Sequence, residues 1–270
     1  MRLLKFLSDV PVGVGLGSSA ALETAVAVAL NDAWQLSLDS MSLAKVSQRA
    51  ENSVVGKETG LSDHIPSLLG EDHRAVLFDS RSLDSDQVSF PLSERGLALL
   101  VIDTGIERAT DLAAERFSER EEASDAVKIS SLRELSPKSL PEHREALSAV
   151  TYRRAQHIVN ENQRVLDAAK ALRTEGPESL GEILSASQAS LRDDYDASGK
   201  EIDLAVETCL AQGAYGARMT GLGESGALYA LVDEGNLSLL QVALDGAFTE
   251  HGYQAPATYV VGPSRGALRH

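Results

Sequence analysis

Apolar positions along the chain fall into two kinds of run. Short continuous runs bounded by Gly, Pro or polar turns predict buried strands. They are "LLKFLS" (3–8), "GLALLVIDTG" (96–105), "ALYALV" (227–232) and "ATYVVG" (257–262). "HRAVLFDSRSLDSDQVSFPL" (73–92) reads as two strands around a polar turn. Longer stretches with apolar residues at helical spacing predict helices. In "AALETAVAVALNDAWQL" (20–36), Ala21, Ala25, Val28 and Ala29 are expected to share one face. In "DSMSLAKVSQRAENSVVG" (39–56), Asp39 or Ser42 is the expected cap and Gly56 the expected stop.

The tract from 111 on reads as mostly helical. Residues 111–128 are polar and helical, and 130–147 are short pieces separated by prolines. Residues 150–173 form a long helix with Val159, Val165, Leu166 and Ala169 at helical spacing. Segments 179–195, 198–212 and 236–250 are further helices. A domain boundary is expected near the strand at 96–105, which gives domains of 1–92 and 93–270. The fold class is α+β.

Composition narrows the setting. The chain has 270 residues and a net charge of −15, from 40 acidic and 25 basic side chains. Such acidity gives no global attraction for nucleic acid or an anionic membrane surface. Cys209 is the only cysteine, so no internal disulfide forms and a reducing compartment fits. With no apolar run long enough to span a bilayer, the expected location is cytoplasmic.

The candidate chemistry begins in "DVPVGVGLGSSAALETAVAVAL" (9–30). A Gly-rich loop leading into a helix N-terminus offers unpaired N–H groups and partial positive charge to an anion. Gly13, Gly15 and Gly17 let the backbone approach phosphate oxygens closely. Ser18 and Ser19 add hydroxyls. No Lys-Ser/Thr pair follows, so the loop is not a P-loop, and the glycine spacing does not fit a dinucleotide fingerprint. A tight turn without a ligand is the competing reading. Taken alone, Glu51 reads as a solvated helix charge and Asp63 as a cap or turn residue. Arg192, Asp193 and Asp194 read as a helix-end ion-pair cluster. Arg153 and Arg154 read as a solvated helix face. His64, His73 and His157 show no metal-ligand spacing.

"PVGVGLGSSAALETAVAVAL" resembles the second motif of the GHMP small-molecule kinases, Pro-x-x-x-Gly-Leu-x-Ser-Ser-Ala, and within them the galactokinases. "AENSVVGKETGLSDHIPSLLG", "AVLFDSRSL", "RRAQHIVNENQRVLDAA", "SQASLRDDYDAS", "EIDLAVETCLAQ" and "GARMTGLGESGALYALV" resemble later galactokinase segments in order. The resemblance implies a two-domain GHMP kinase fold and transfer of the ATP γ-phosphate to the C1 hydroxyl of galactose. It implies that Gly13, Gly15, Leu16, Gly17, Ser18, Ser19 and Ala20 cradle ATP. Ser19 and Glu51 would support Mg²⁺, and Asp63 would face the sugar hydroxyl. Gly221, Gly223 and Gly226 belong to the third motif.

Four departures accompany the resemblance. The first galactokinase motif, an arginine with a Glu-His-Thr-Asp run, is not found before this loop, so the nucleotide domain is expected to be truncated at its N-terminus. The strand around Leu3–Leu7 would then have unpaired neighbours and invite self-association. Leu222, Glu224, Ser225 and Ala227 interrupt the third motif's glycine run. His64 stands where glutamine is usual, and Arg116 or Phe117 where a tyrosine is expected. These departures give a second expectation, a relative that binds nucleotide or sugar without turnover.

Overall fold

The computed structural model describes residues 5–55, 59–106, 112–221 and 226–268. The chain divides into two compact units. One comprises residues 1–72, 76–87 and 264–270, and the other residues 73–75 and 88–263.

The first unit is built on three helices, α1 (Ser18–Trp34), α2 (Ser40–Val55) and α3 (His64–Leu69). Ala27 and Val28 of α1, Leu43 and Ala44 of α2, and Ile65 and Leu68 of α3 meet in one apolar cluster, with Ala267 from the chain's end. Asp39 caps α2, its Oδ1 accepting the Ser42 N–H at 2.7 Å. Gly56 lies outside the described residues. On α1 the buried positions are Ala20 and Thr24, whereas Ala25 and Ala29 are exposed, so the inward face is rotated from the one the spacing predicts. The rotation follows from Thr24. Its hydroxyl bonds Ala20 O at 2.7 Å and Ser67 Oγ at 2.7 Å, so a polar residue holds the centre of the packed face.

Residues 5–8 form no strand, contrary to the pattern-based expectation; Leu3 and Leu4 lie outside the described residues. Phe6 is 58% exposed and Leu7 85%. An apolar run becomes a strand only when a ladder partner takes up its backbone groups.

Strands β1 (Arg74–Phe78) and β2 (Ser85–Ser89) form a two-stranded sheet around the expected polar turn. There Asp79 Oδ1 accepts the Arg81 and Ser82 N–H groups at 2.8 and 3.2 Å.

The second unit holds a four-stranded sheet in the order β4-β5-β3-β6, from β3 (Leu97–Asp103), β4 (Gly216–Met219), β5 (Ala227–Asp233) and β6 (Ala257–Val261). Its pairs are antiparallel, with Leu100 opposite Ala230 and Ile102 opposite Leu228. Alternation divides these strands between two apolar clusters. Ala98, Leu100, Ile102, Leu228, Ala230 and Val232 pack with α6 (Leu180–Asp193), α7 (Lys200–Ala211) and α8 (Leu237–Glu250). Leu97, Leu99 and Leu231 pack instead with Phe90, Leu92 and Leu184. Burial on both faces explains why these strands read as continuous apolar runs.

Helix α4 (Leu112–Ala126) and the 26-residue α5 (Ala149–Thr174), with 3₁₀ segments at Leu132–Glu134 and Leu140–Ala146 between them, also belong to this unit. Val159 and Ala169 of α5 are buried as the spacing predicts, but Val165 and Leu166 are about half exposed. The inward face of α5 carries Arg154 and His157 instead.

Candidate active site of the first unit

The loop before α1 takes its shape from three glycines in the left-handed region. Gly13, Gly15 and Gly17 have φ of 86°, 67° and 65°. Side chains other than glycine avoid that conformation. Val14 between them is buried and anchors the loop. Gly17 sits at the N-cap of α1 and accepts the Ala21 N–H at 2.9 Å. No side chain caps the helix and no acidic residue lies in its first turn. The helix start, with Ser18, Ser19 and Ala20, therefore keeps donors and partial positive charge for an anion.

The sequence places Ser19, Glu51 and Asp63 far apart; the folded unit gathers them. Ser19 Oγ donates to Glu51 Oε1 at 2.6 Å. Glu51, only 8% exposed, also accepts from Thr59 Oγ1 through Oε2 at 2.8 Å. Burial with two hydroxyl donors removes Glu51 from the solvated-charge reading. Asp63 lies beside the loop. A β-carbon placed on Gly17 would stand 3.1 Å from Asp63 Cβ and 3.4 Å from Oδ2. Asp63 holds the N-cap position of α3, yet its side chain makes no capping bond. Its exposed carboxylate thus faces the glycine loop instead of serving the helix. A hydroxyl and a buried carboxylate are hard oxygen donors, and that chemistry fits Mg²⁺.

Two residues that sequence reasoning missed join this group. His64 is 1% exposed, and its Nε2 lies 2.9 Å from Glu23 Oε2 and 3.7 Å from Glu51 Oε2. The signal was available: Glu23 follows Ser19 by four positions, on the same helical face. Histidine spacing could not reveal the cluster, because its three members come from three helices.

The third-motif residues lie in the second unit. Gly221 and Gly226 flank the connection from β4 to β5, while Gly223, with Leu222, Glu224 and Ser225, lies outside the described residues. Gly226 has a packing reason of its own. A β-carbon there would meet Ile106 O at 2.1 Å, and Thr104 donates to Gly226 O from its hydroxyl at 2.6 Å.

The remaining charged candidates resolve as structure. Arg154 is not a solvated residue: it is 6% exposed, bonds Glu119 at 3.2 Å and donates to Asp194 O at 2.7 Å. The end of α6 and Glu119 of α4 enclose it. Arg116, also buried, pairs with Glu119 and lies 5.7 Å from the Tyr195 ring centroid, whereas Phe117 is half exposed. Arg192 makes the expected exposed pair with Asp193 at 2.7 Å, but Asp194 turns inward to accept from Ser190 at 2.9 Å. Ser190 also meets His157 Nδ1 at 3.0 Å. Burial lowers the His157 pKa to about 4, with Arg164 and Arg218 adding to it against the opposing pull of Glu161 and Asp194. Burial alone would raise Glu161, but the Ser187 hydrogen bond, Arg218 and Arg164 outweigh it and hold the carboxyl below its ordinary value. Cys209 is buried and its thiol is pushed up to about 12. Among the described residues no helix is long and apolar enough to cross a membrane.

Known proteins agree with this architecture over almost the whole chain. Residues 2–71 match the GHMP kinases N terminal domain, and residues 168–249 match the GHMP kinases C terminal domain. A galactokinase of Streptomyces coelicolor is 36% identical over 266 residues, which is 97% of this chain and 69% of that protein. A galactokinase of Mycobacterium tuberculosis is 37% identical over 256 residues, 94% of this chain and 70% of the relative. The crystal structure of Lactococcus lactis galactokinase complexed with galactose superposes with a TM-score of 0.90 at 33% identity, covering 97% of this chain and 69% of that one. A homoserine kinase from Cytophaga hutchinsonii, at 19% identity and a TM-score of 0.62, shares the fold. The two-domain α+β fold expected from the sequence is that of these kinases, and the chain belongs to the galactokinases of the GHMP kinase family.

Proposed function

We propose that this chain is a sugar kinase that transfers the γ-phosphoryl group of ATP to the C1 hydroxyl of galactose. Support for the acceptor comes from the galactokinase relatives and from the galactose in the Lactococcus lactis complex. The observation that carries the mechanism is the position of Asp63, an uncapped carboxylate against the glycine loop at the start of α1.

Residues 13–20 hold the phosphates through backbone N–H groups and the Ser18 and Ser19 hydroxyls, aided by the helix dipole. Phosphoryl transfer requires mainly positioning and charge stabilisation. Asp63 orients the C1 hydroxyl and takes its proton as the new O–P bond forms. The bond between the γ-phosphorus and the β–γ bridging oxygen breaks, and ADP leaves. Ser19 and Glu51 are the residues that would hold Mg²⁺, which when bound neutralises phosphate charge. The Ser19 and Thr59 hydroxyls orient the Glu51 carboxylate for that role.

The test is galactose-dependent ADP release by the purified chain with Mg·ATP, beside Asp63→Asn. A general base contributes about 10²–10⁴-fold, so the variant should lose at least 100-fold in kcat while still binding nucleotide. Nucleotide binding without turnover in the unsubstituted, folded chain would overturn this reading.

A further inference from the structure

The three helices of the first unit converge on a second arrangement of donors, distinct from the Ser19–Glu51 pair in ligand chemistry. Glu23 comes from α1, Glu51 from α2 and His64 from the first position of α3. One ligand atom from each lies within 4.8 Å of those of the other two, and His64 Nε2 faces Glu23 Oε2 and Glu51 Oε2. At metal–ligand lengths of about 2.1 Å, neighbouring donors stand roughly 3.0 Å apart around an octahedral ion and about 3.4 Å around a tetrahedral one. The observed separations from Nε2, 2.9 and 3.7 Å, bracket these values.

Three further features separate this cluster from a chance group of surface acids. His64 is 1% exposed and Glu51 8%, so two of the three donors are held in place by packing. The His64 Nδ1 atom is buried with no hydrogen-bond partner, so the ring's polar contacts are confined to the two carboxylates. Glu51 presents its oxygens in different directions, Oε1 to Ser19 and Oε2 to Thr59 and His64. One carboxylate therefore serves both the hydroxyl side and the imidazole side.

We infer that Glu23, Glu51 and His64 form a binding site for a divalent first-row transition ion. Imidazole beside two carboxylates is a donor set that suits zinc, cobalt or manganese, whereas Mg²⁺ prefers oxygen ligands and keeps much of its water. Two carboxylates offset the charge of a divalent cation, and the single nitrogen selects against Mg²⁺. The site is assembled from the first unit alone and needs neither nucleotide nor sugar. It shares Glu51 with the Ser19–Glu51 pair, and its metal preference is read in the absence of turnover.

The experiment titrates the metal-stripped chain with Zn²⁺ against a chromophoric chelator, without nucleotide or galactose. Co²⁺ is added in parallel and followed by visible absorption. One Zn²⁺ per chain is expected, with affinity at least 10-fold weaker in both His64→Gln and Glu23→Gln, and a Co²⁺ spectrum that changes in His64→Gln. Thermal unfolding of each variant reports whether it is folded. Glu23 is part-exposed on α1, so Glu23→Gln keeps the test alive where the buried His64 substitution disturbs packing. Zn²⁺ affinity equal in the unsubstituted chain and in both folded variants would overturn the site, as would no Zn²⁺ uptake at all. Because turnover is not the readout, a failed kinase assay and a failed metal titration remain distinct results.

Discussion

Strand β3 and the run at residues 3–8 both read as apolar strands, yet the described residues of the second are exposed. Leu97, Ala98, Leu100, Val101 and Ile102 are 0–4% exposed, while Phe6 is 58% and Leu7 85% exposed. The difference lies in the neighbours. β3 is hydrogen-bonded to β5 on one side and β6 on the other, and both of its faces pack on apolar side chains. Residues 5–8 form no strand. Apolar content makes a strand possible, and a hydrogen-bonded neighbour makes it real.

The sharpest way to break this comparison is truncation on each side of it. Leu100→Ala removes a fully buried side chain from the sheet and should lower unfolding free energy by about 2–5 kcal/mol. Leu7→Ala should change it by less than about 0.5 kcal/mol. Urea denaturation of the two variants measures both. Equal losses would mean that residues 5–8 contribute to the core as β3 does.

A second contrast sets the buried polar groups of the second unit against its apolar sheet. His157 has a folded pKa of about 4, below the ordinary 6.5 of the unfolded chain. Between those values the unfolded state binds a proton that the folded state does not. Stability therefore rises with pH across this window and falls as pH drops from 6.5 towards 4. The gap corresponds to about 3 kcal/mol at most. Denaturation of wild type and His157→Gln at pH 7 and pH 4.5 isolates the contribution: the variant should lose less stability on acidification. Among the described residues the apolar cluster on this sheet holds no carboxylate and no histidine, so Leu100→Ala should show the wild-type pH profile between pH 4.5 and 7.

What could be read from the sequence follows the same physical division. The apolar runs of β3, β5 and β6 and the long periodic helices were legible, because burial on two faces or on one stripe leaves its mark on local composition. The face of α1 was not, because Thr24 replaces an apolar residue at its centre and makes its hydrogen bonds to Ala20 and Ser67. Arg154 was misread for the opposite reason: its partners, Glu119 and Asp194, are 35 and 40 positions away. In the candidate site, Ser19, Glu51 and Asp63 could be named through family motifs, whereas the meeting of Glu23 with His64 spans 41 positions. Long-range polar contacts leave no periodic trace.

The loop at residues 13–17 is sharpened by Gly17→Ala. The residue lies in the left-handed region, where a β-carbon costs about 1–2 kcal/mol. The added carbon also stands 3.1 Å from Asp63 Cβ, so the carboxylate must give way by a few tenths of an ångström. A stability loss of about 1–2 kcal/mol by urea denaturation is expected together with reduced galactose-dependent ADP release. Loss of stability with turnover intact would show that the position of Asp63 against the loop is not needed for transfer.

The smallest effect belongs to Arg192, whose guanidinium donates to Asp193 at 2.7 and 3.0 Å on the surface of the second unit. Both side chains are roughly half exposed. Water already solvates each charge, and holding two side chains in one geometry costs rotamer freedom, so such a pair contributes about 0–1 kcal/mol. Its near neighbour Arg154 offers the useful contrast, being 6% exposed and bonded to Glu119 and to the Asp194 carbonyl. Arg192→Ala should lower unfolding free energy by less than about 0.5 kcal/mol, and less still in 0.5 M salt, where screening weakens the pair further. Arg154→Ala leaves the Asp194 carbonyl without its donor and Glu119 with Arg116 alone, and should cost about 3 kcal/mol, nearly independent of salt. Denaturation of the two variants at low and high salt separates the cases. A salt-insensitive loss in Arg192→Ala as large as that in Arg154→Ala would show that exposure is the wrong criterion for ranking these arginines.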